Sequence, residues 1–273
     1  MKTWIALLFV AVIPAHADLP YFEDGEHRGR FAVHEASRFD FVMKYTGEMT
    51  LEPKRRSKDP VAVANRIKIE YGIEEVKSDG SVVFKKTQEG SLVSDDKPSD
   101  DFDRMVFRGT STGDAVYEVV IEPGRDGVAI GGRVVEKGSL TQHPLRFALR
   151  VVVPNVYRNF EFKDEDDQRD YKKKTRGDYL RLERTDFSKL RLDNGDIKAV
   201  EGPLWTGVGI EEIEMRLSYY EGRRFCFSAD KHSALAISQG RSAGPWFEGF
   251  TLLWSADAAK DPESKARLKL WVK

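Results

Sequence analysis

Apolar residues fall at every second position along most of the chain, the period of a strand with one buried face. Phe39, Phe41, Met43 and Tyr45 alternate up to a Thr46-Gly47 turn, and Met49 and Leu51 resume beyond it, which predicts a hairpin. Ile67, Ile69, Tyr71 and Ile73 form a second run, and the Asp-Gly of "SDGS" (residues 78–81) turns the chain toward Val82 and Phe84. Tyr117, Val119 and Ile121 lead into "PGRDG" (123–127), after which Val128 and Ile130 resume, while Phe147, Leu149, Val151 and Val153 end at Pro154.

The second half keeps the habit. Leu180 and Leu182 precede Leu190 and Leu192, and "DNGD" (193–196) offers an Asn-Gly hairpin signal. Ile213, Met215, Leu217 and Tyr219 run to "EGR" (221–223), Phe225 and Phe227 return, and the last strands cover 247–254 and 267–272. Roughly fourteen strand candidates and no amphipathic helix beyond about two turns predict an antiparallel all-β fold, a large β-sandwich with under about a tenth of its residues in helix. Two polar stretches interrupt the pattern: the acidic 94–103 and the almost wholly charged 163–177, read as loops because neither has apolar residues to bury. The expectation is a single all-β domain over 18–273 with a charged mid-chain loop at 163–177; the alternative is two β domains split near that loop.

One stretch raises a question of chemistry. "GPWFEGFTLLW" (244–254) carries two tryptophans, two phenylalanines and a carboxylate. As one extended strand it puts Trp246, Glu248, Phe250, Leu252 and Trp254 on one face and Phe247, Thr251 and Leu253 on the other. Two apolar faces describe a central strand of the core. Alternatively its ends emerge at a rim, where a flat indole stacks on a pyranose ring and Glu248 accepts hydroxyl hydrogen bonds. Trp205, in the glycine-flanked "GPLWTGVG" (202–209), has no alternating apolar neighbours that demand its burial. Trp205, Trp246, Glu248 and Trp254 are therefore the candidate ligand-binding residues, with Trp205 the most exposed and Trp246 and Trp254 flanking an apolar strand that the core should claim.

Composition narrows the setting. Residues 1–17 combine Lys2, an apolar run and the small-x-small Ala15-His16-Ala17, which reads as a secretory signal peptide with the mature chain starting at Asp18. The run is too short for a comfortable membrane span and none follows, so no transmembrane segment is expected. A single cysteine, Cys226, forbids an intramolecular disulfide, and no glycosylation sequon occurs; both suit a bacterial periplasm or cell exterior. The net charge of −1 steers nothing toward nucleic acid. Cys226 lies between Phe225 and Phe227, so its thiol faces away from both rings as a buried, inert group.

Motifs for other chemistries fail on context. "GRSAG" (240–244) matches a nucleophile elbow, but Pro245 opposes the helix it needs and no histidine follows Ser242. "GVGIEE" (207–212) lacks the third glycine of a dinucleotide site. The four histidines after the leader are scattered and HExxH is absent, so no zinc site or cofactor is expected. A structural calcium is the weaker metal option: Asp95, Asp96, Asp100, Asp101, Asp103 and Asp164 to Asp167 offer oxygen, without an EF-hand spacing. The arrangement resembles, in general terms, sugar-handling β-sandwich modules, which implies a saccharide as partner. The reading is an exported, non-catalytic binding or accessory protein for carbohydrate. Its rivals are a hydrolase or lyase using paired carboxylates, and an assembly protein of the cell envelope that pairs through its sheet edges.

Overall fold

The computed structural model describes residues 18–55, 57, 59–159, 163–193, 205–238, 249–256 and 261–273. Of these, 52% lie in strands and 7% in helix, which makes the fold antiparallel all-β, as the alternation required. The strands are β1 (Arg30–Glu35), β2 (Phe39–Lys44), β3 (Met49–Pro53), β4 (Ile67–Val76), β5 (Val82–Lys86), β6 (Met105–Ser111), β7 (Ala115–Gly124) and β8 (Gly127–Glu136). After them come β9 (Leu145–Pro154), β10 (Tyr179–Arg184), β11 (Lys189–Asp193), β12 (Trp205–Arg216), β13 (Arg224–Ser228), β14 (Ser233–Ser238), β15 (Gly249–Ala256) and β16 (Leu268–Val272).

One hydrogen-bonded path runs β1-β2-β3-β4-β9-β15-β14-β12-β13-β16-β8-β7-β6, with β5 on β4 and the β10–β11 hairpin on β12. The twelve-residue β12 is the corner of this path. Its Trp205 and Ile210 pair with β14 across a register shift, while Glu212 to Arg216 pair with β13 and the β10 side covers the opposite edge. Gly209, at φ +106°, supplies the backbone bend between the two halves. A strand that serves two arms folds the sheet over on itself into a nearly barrel-shaped sandwich. The free ends of the path are drawn together by the chain between β5 and β6, which bridges Val93 to Arg108 on β6 and Ser99 to Ala32 on β1. Two exposed edges are thereby reduced.

The enclosed face of the sheet is the core. Phe41, Ile73, Phe107, Tyr117, Phe147, Ile213, Phe227 and Leu252 are buried there beside Trp254. In β15, Phe250, Leu252 and Trp254 point inward and Thr251 and Leu253 are half-buried, the alternation read from the sequence. Strands from both sides of the charged mid-chain segment share ladders, since β9 pairs with β15 and β8 with β16.

Two expectations are corrected. The segment expected to be a loop holds helix α1 (Glu165–Lys174), ten residues long. Asp164 caps it by accepting from the Asp167 N–H, acids fill its first turn and lysines its last, all favourable to the helix dipole. It escaped a periodicity reading because Tyr171 alone among its residues is buried. Likewise the run expected to extend to Tyr219 leaves the sheet at Arg216, and Ser218–Tyr220 form a 3-10 turn ended by Glu221 in the left-handed region. Among the described residues no helix is long and apolar enough to cross a membrane.

Candidate functional site

Where β9 runs out, the chain turns through Asn155, whose side chain accepts the Tyr157 N–H at 3.0 Å. This Asx turn directs Tyr157 toward the start of β10 and the 3-10 turn after β12. A cleft of about 720 Å³ opens between these pieces, with Val156, Tyr157 and Asn159 on one side, Ser218 and Tyr219 on another and Asp167 and Lys174 on α1. Residues 167, 171 and 174 share one face of a helix. Tyr171 anchors that face by standing edge-on to Tyr157, ring centroids 5.7 Å apart.

The floor is a saturated polar cluster. Asp178, just before β10, is 0% exposed. Its Oδ1 accepts the Ser218 N–H at 2.6 Å and the Ser218 hydroxyl at 2.5 Å, and its Oδ2 accepts the Tyr157 hydroxyl. Burial pushes the Asp178 carboxyl above the usual carboxylate range, and the bonds from Ser218 and Tyr157 only partly oppose it. Burial, then the Asp178 charge, raises the Tyr157 hydroxyl. Beside it the Tyr219 hydroxyl accepts from Asn65 Nδ2, Asn65 Oδ1 accepts from Arg158, and the Asn65 carbonyl accepts from Tyr220 at 2.7 Å. Arg55 lies 4.5 Å over the Tyr219 ring and donates to the Tyr219 carbonyl at 3.2 Å. Every acceptor oxygen of Asp178 is thus engaged within the fold, which leaves it a strut between β10 and the 3-10 turn. The groups turned toward the cleft are half-buried tyrosine, exposed amide and charged helix side chains.

A second buried carboxylate lies on the opposite face of β12 from Ile213 and Met215. Glu214 is 1% exposed; its Oε1 accepts from Tyr179 at 2.6 Å and its Oε2 lies 3.1 Å from Arg181 and 3.6 Å from Lys273. Burial works to raise Glu214, and Tyr179, Arg181 and Lys273 outweigh it, so its pKa falls below the ordinary value. Cys226 sits across the ladder from it at 3.8 Å, buried and turned from the core as expected, with burial pushing its thiol up to about 12. Glu212, Glu214 and Cys226 are the one group among the described residues close enough to share a metal ion. Arg181 and Lys273 already neutralise that oxygen and the thiol keeps its proton, which makes an internal ion pair the better description. The acidic loop does not gather its carboxylates: Asp96 accepts the Val106 N–H at 2.6 Å and Asp100 faces His27 at 3.5 Å.

The residues singled out from sequence divide. Trp254 is 1% exposed and packs edge-on against Phe147 at 6.4 Å, so it belongs to the core and is withdrawn as a ligand contact. Trp205 opens β12 opposite Ile237, and its side chain lies outside the described residues. Trp246, Glu248 and Ser242 lie outside them altogether, as does the "NGD" of the expected hairpin. The chain re-enters description at Gly249, so close to β9 that a Cβ there would stand 2.4 Å from the Val153 carbonyl and 2.8 Å from the Asn155 nitrogen. That contact is two residues from Tyr157. Sequence reasoning missed the cleft because residues 65, 155–159, 178 and 218 belong to no alternating run and Tyr219 was read as the end of a strand; the paired tyrosines of "SYYEG" (218–222) were the available signal.

No family profile and no curated protein matches the chain. Among solved structures, the alpha-N-acetylgalactosaminidase NagBb from Bifidobacterium bifidum, as its Gal-NHAc-DNJ complex, is similar at a TM-score of 0.37 and 10% identity. The match covers 88% of this chain and 36% of that one, so the chain spans about a third of its length. A likeness of that size fixes neither family nor function.

Proposed function

We propose that the chain is cut after Ala17, exported from a bacterial cell, and binds saccharide without transforming it, the ligand lying in the cleft between Tyr157, Tyr219 and α1. The observation that carries this reading is the division of labour in the cleft: tyrosine rings and the side chains of Asn159, Asp167 and Lys174 line it, while the one carboxylate at its floor has its oxygens engaged by Ser218 and Tyr157. A pyranose has an apolar face that suits a phenol ring and hydroxyls that suit amide, carboxylate and ammonium groups. The volume is within the range of small-ligand sites and fits a short oligosaccharide. Hydrolysis calls for two carboxyls disposed across the bond to be cut; Asp178 is committed to the fold and Asp167 already accepts the Lys163 N–H at 2.9 Å.

A glycan array followed by calorimetry on the best ligand tests the proposal. Asn159→Ala, an exposed truncation, is expected to weaken binding about tenfold, about 1.4 kcal/mol, and to leave the melting temperature unchanged. Failure of the wild-type chain to bind any saccharide, or full affinity in the variant, would overturn it.

A further inference from the structure

The β10–β11 hairpin ends in a feature that folding does not explain. Arg184 and Ser188 close it, with the Arg184 N–H donating to the Ser188 carbonyl at 3.0 Å, and the connection between them is Thr185-Asp186-Phe187. Three-residue hairpin connections place their last residue in the left-handed region, where glycine is the usual occupant because a Cβ is disfavoured. Here that residue is Phe187, at φ +63°. The other non-glycine residues at positive φ among those described are Asp114, Glu221 and Ser264, none of them bulky and apolar.

Buried aromatics commonly offset such strain through packing, but Phe187 is 78% exposed, the most exposed of the large apolar side chains among the described residues. Among the described residues no ring stacks on it. The tip is also held firmly: Ser188 N–H donates to Asp186 Oδ1 at 2.9 Å, Phe187 N–H to the Arg184 carbonyl at 2.8 Å, and Thr185 N–H to the Gly209 carbonyl of β12 at 2.8 Å. A fixed, strained and uncovered ring is a presented ring.

We infer that Phe187 is a stacking platform for the apolar face of a pyranose in a saccharide chain, a second contact site separate from the cleft. The inference rests on the saccharide reading above and extends it to chain-like ligands. The surroundings select the ligand class. Thr185, Asp186, Ser188 and Lys189 are all polar and exposed, so among the described residues the apolar surface at the tip is one ring wide. A protein interface or a lipid surface calls for a contiguous apolar patch. A sugar ring calls for one flat apolar face with hydrogen-bonding groups around it, which Asp186, Ser188 and Lys189 supply.

The test measures thermal stability and affinity for short oligosaccharides and for the corresponding polysaccharide, in the full chain and in Phe187→Gly, Phe187→Trp and Asn159→Ala. Glycine relieves the backbone and removes an unpacked ring, so Phe187→Gly should raise the melting temperature by about 2 °C while weakening polysaccharide binding about tenfold. Phe187→Trp should keep that affinity within about threefold. A fall in melting temperature for Phe187→Gly, or unchanged polysaccharide affinity, overturns the inference; if Asn159→Ala still weakens oligosaccharide binding, the cleft reading survives that outcome. Absence of saccharide binding in the wild-type chain removes both.

Discussion

Asp178 and Glu214 stand on neighbouring parts of the fold, one just before β10 and the other on β12, and each carries a carboxylate almost wholly out of water. Their environments differ in kind. Asp178 is held by hydroxyls and a backbone N–H, with burial the dominant influence and Arg216 the last of those that oppose it, and its pKa is raised. Glu214 is held by one hydroxyl and two cations, and its pKa is lowered. At Asp178 the neutral donors leave burial dominant, whereas at Glu214 the Tyr179 hydroxyl acts together with Arg181 and Lys273 and the sum outweighs the cost of taking the carboxylate from water. The cleft therefore has a floor that is structurally firm and electrostatically costly, while the outer face of β12 has a charge-balanced pin.

Three substitutions bear on that contrast. The scale is set by Trp254→Ala, which touches neither carboxylate and should cost about 3–5 kcal/mol as a core truncation; a silent result in chemical denaturation would move the inside of the sheet elsewhere. Glu214→Gln should cost about 2 kcal/mol at pH 7, a moderate figure because Arg181 and Lys273 are each 38% exposed and partly screened. A depressed folded pKa gives stability that is present above the unfolded value of 4.5 and is lost as pH falls through the folded one, so this deficit should shrink in acid. Asp178→Asn should cost about 1 kcal/mol at pH 7, since the amide oxygen still serves Ser218. Its folded pKa lies above 3.8, so the wild-type chain gains stability as pH falls through that window and the variant does not; its deficit should widen in acid. Denaturation curves at pH 7 and pH 4 for the two variants break the comparison if both deficits move the same way.

The legible part of this fold was the part where apolar side chains recur at every second position of the sequence. β4, β7, β8, β9 and β15 could be placed from alternation, and the Gly47 and Gly80 turns sit at positive φ where their dipeptides put them. β1 was hidden because Phe31, Ala32 and Val33 are all buried in succession. β6 was hidden because Gly109 and Ser111 fill inward positions: a side chain at 109 would meet the Tyr117 hydroxyl at 2.4 Å. β14 places only Leu235 and Ile237 in the core, between small residues. The cleft was illegible for a different reason. Asn65, Tyr157, Asp178 and Ser218 meet because β4, β9, β10 and β12 end near one another, and that depends on the corner in β12, which no local pattern encodes. Cys226 was readable because its setting was local: two rings on one face put the thiol on the other.

The most direct test of a cleft that binds and does not cut is to hold the wild-type chain with its best saccharide ligand for a day near pH 6 and weigh the sugar by mass spectrometry, with Asp178→Asn alongside. Asp178 as a strut predicts a ligand of unchanged mass in both samples and saturable binding in both. Shortened or unsaturated sugar in the wild-type sample, absent with Asp178→Asn, would contradict it and make that carboxylate a catalytic acid.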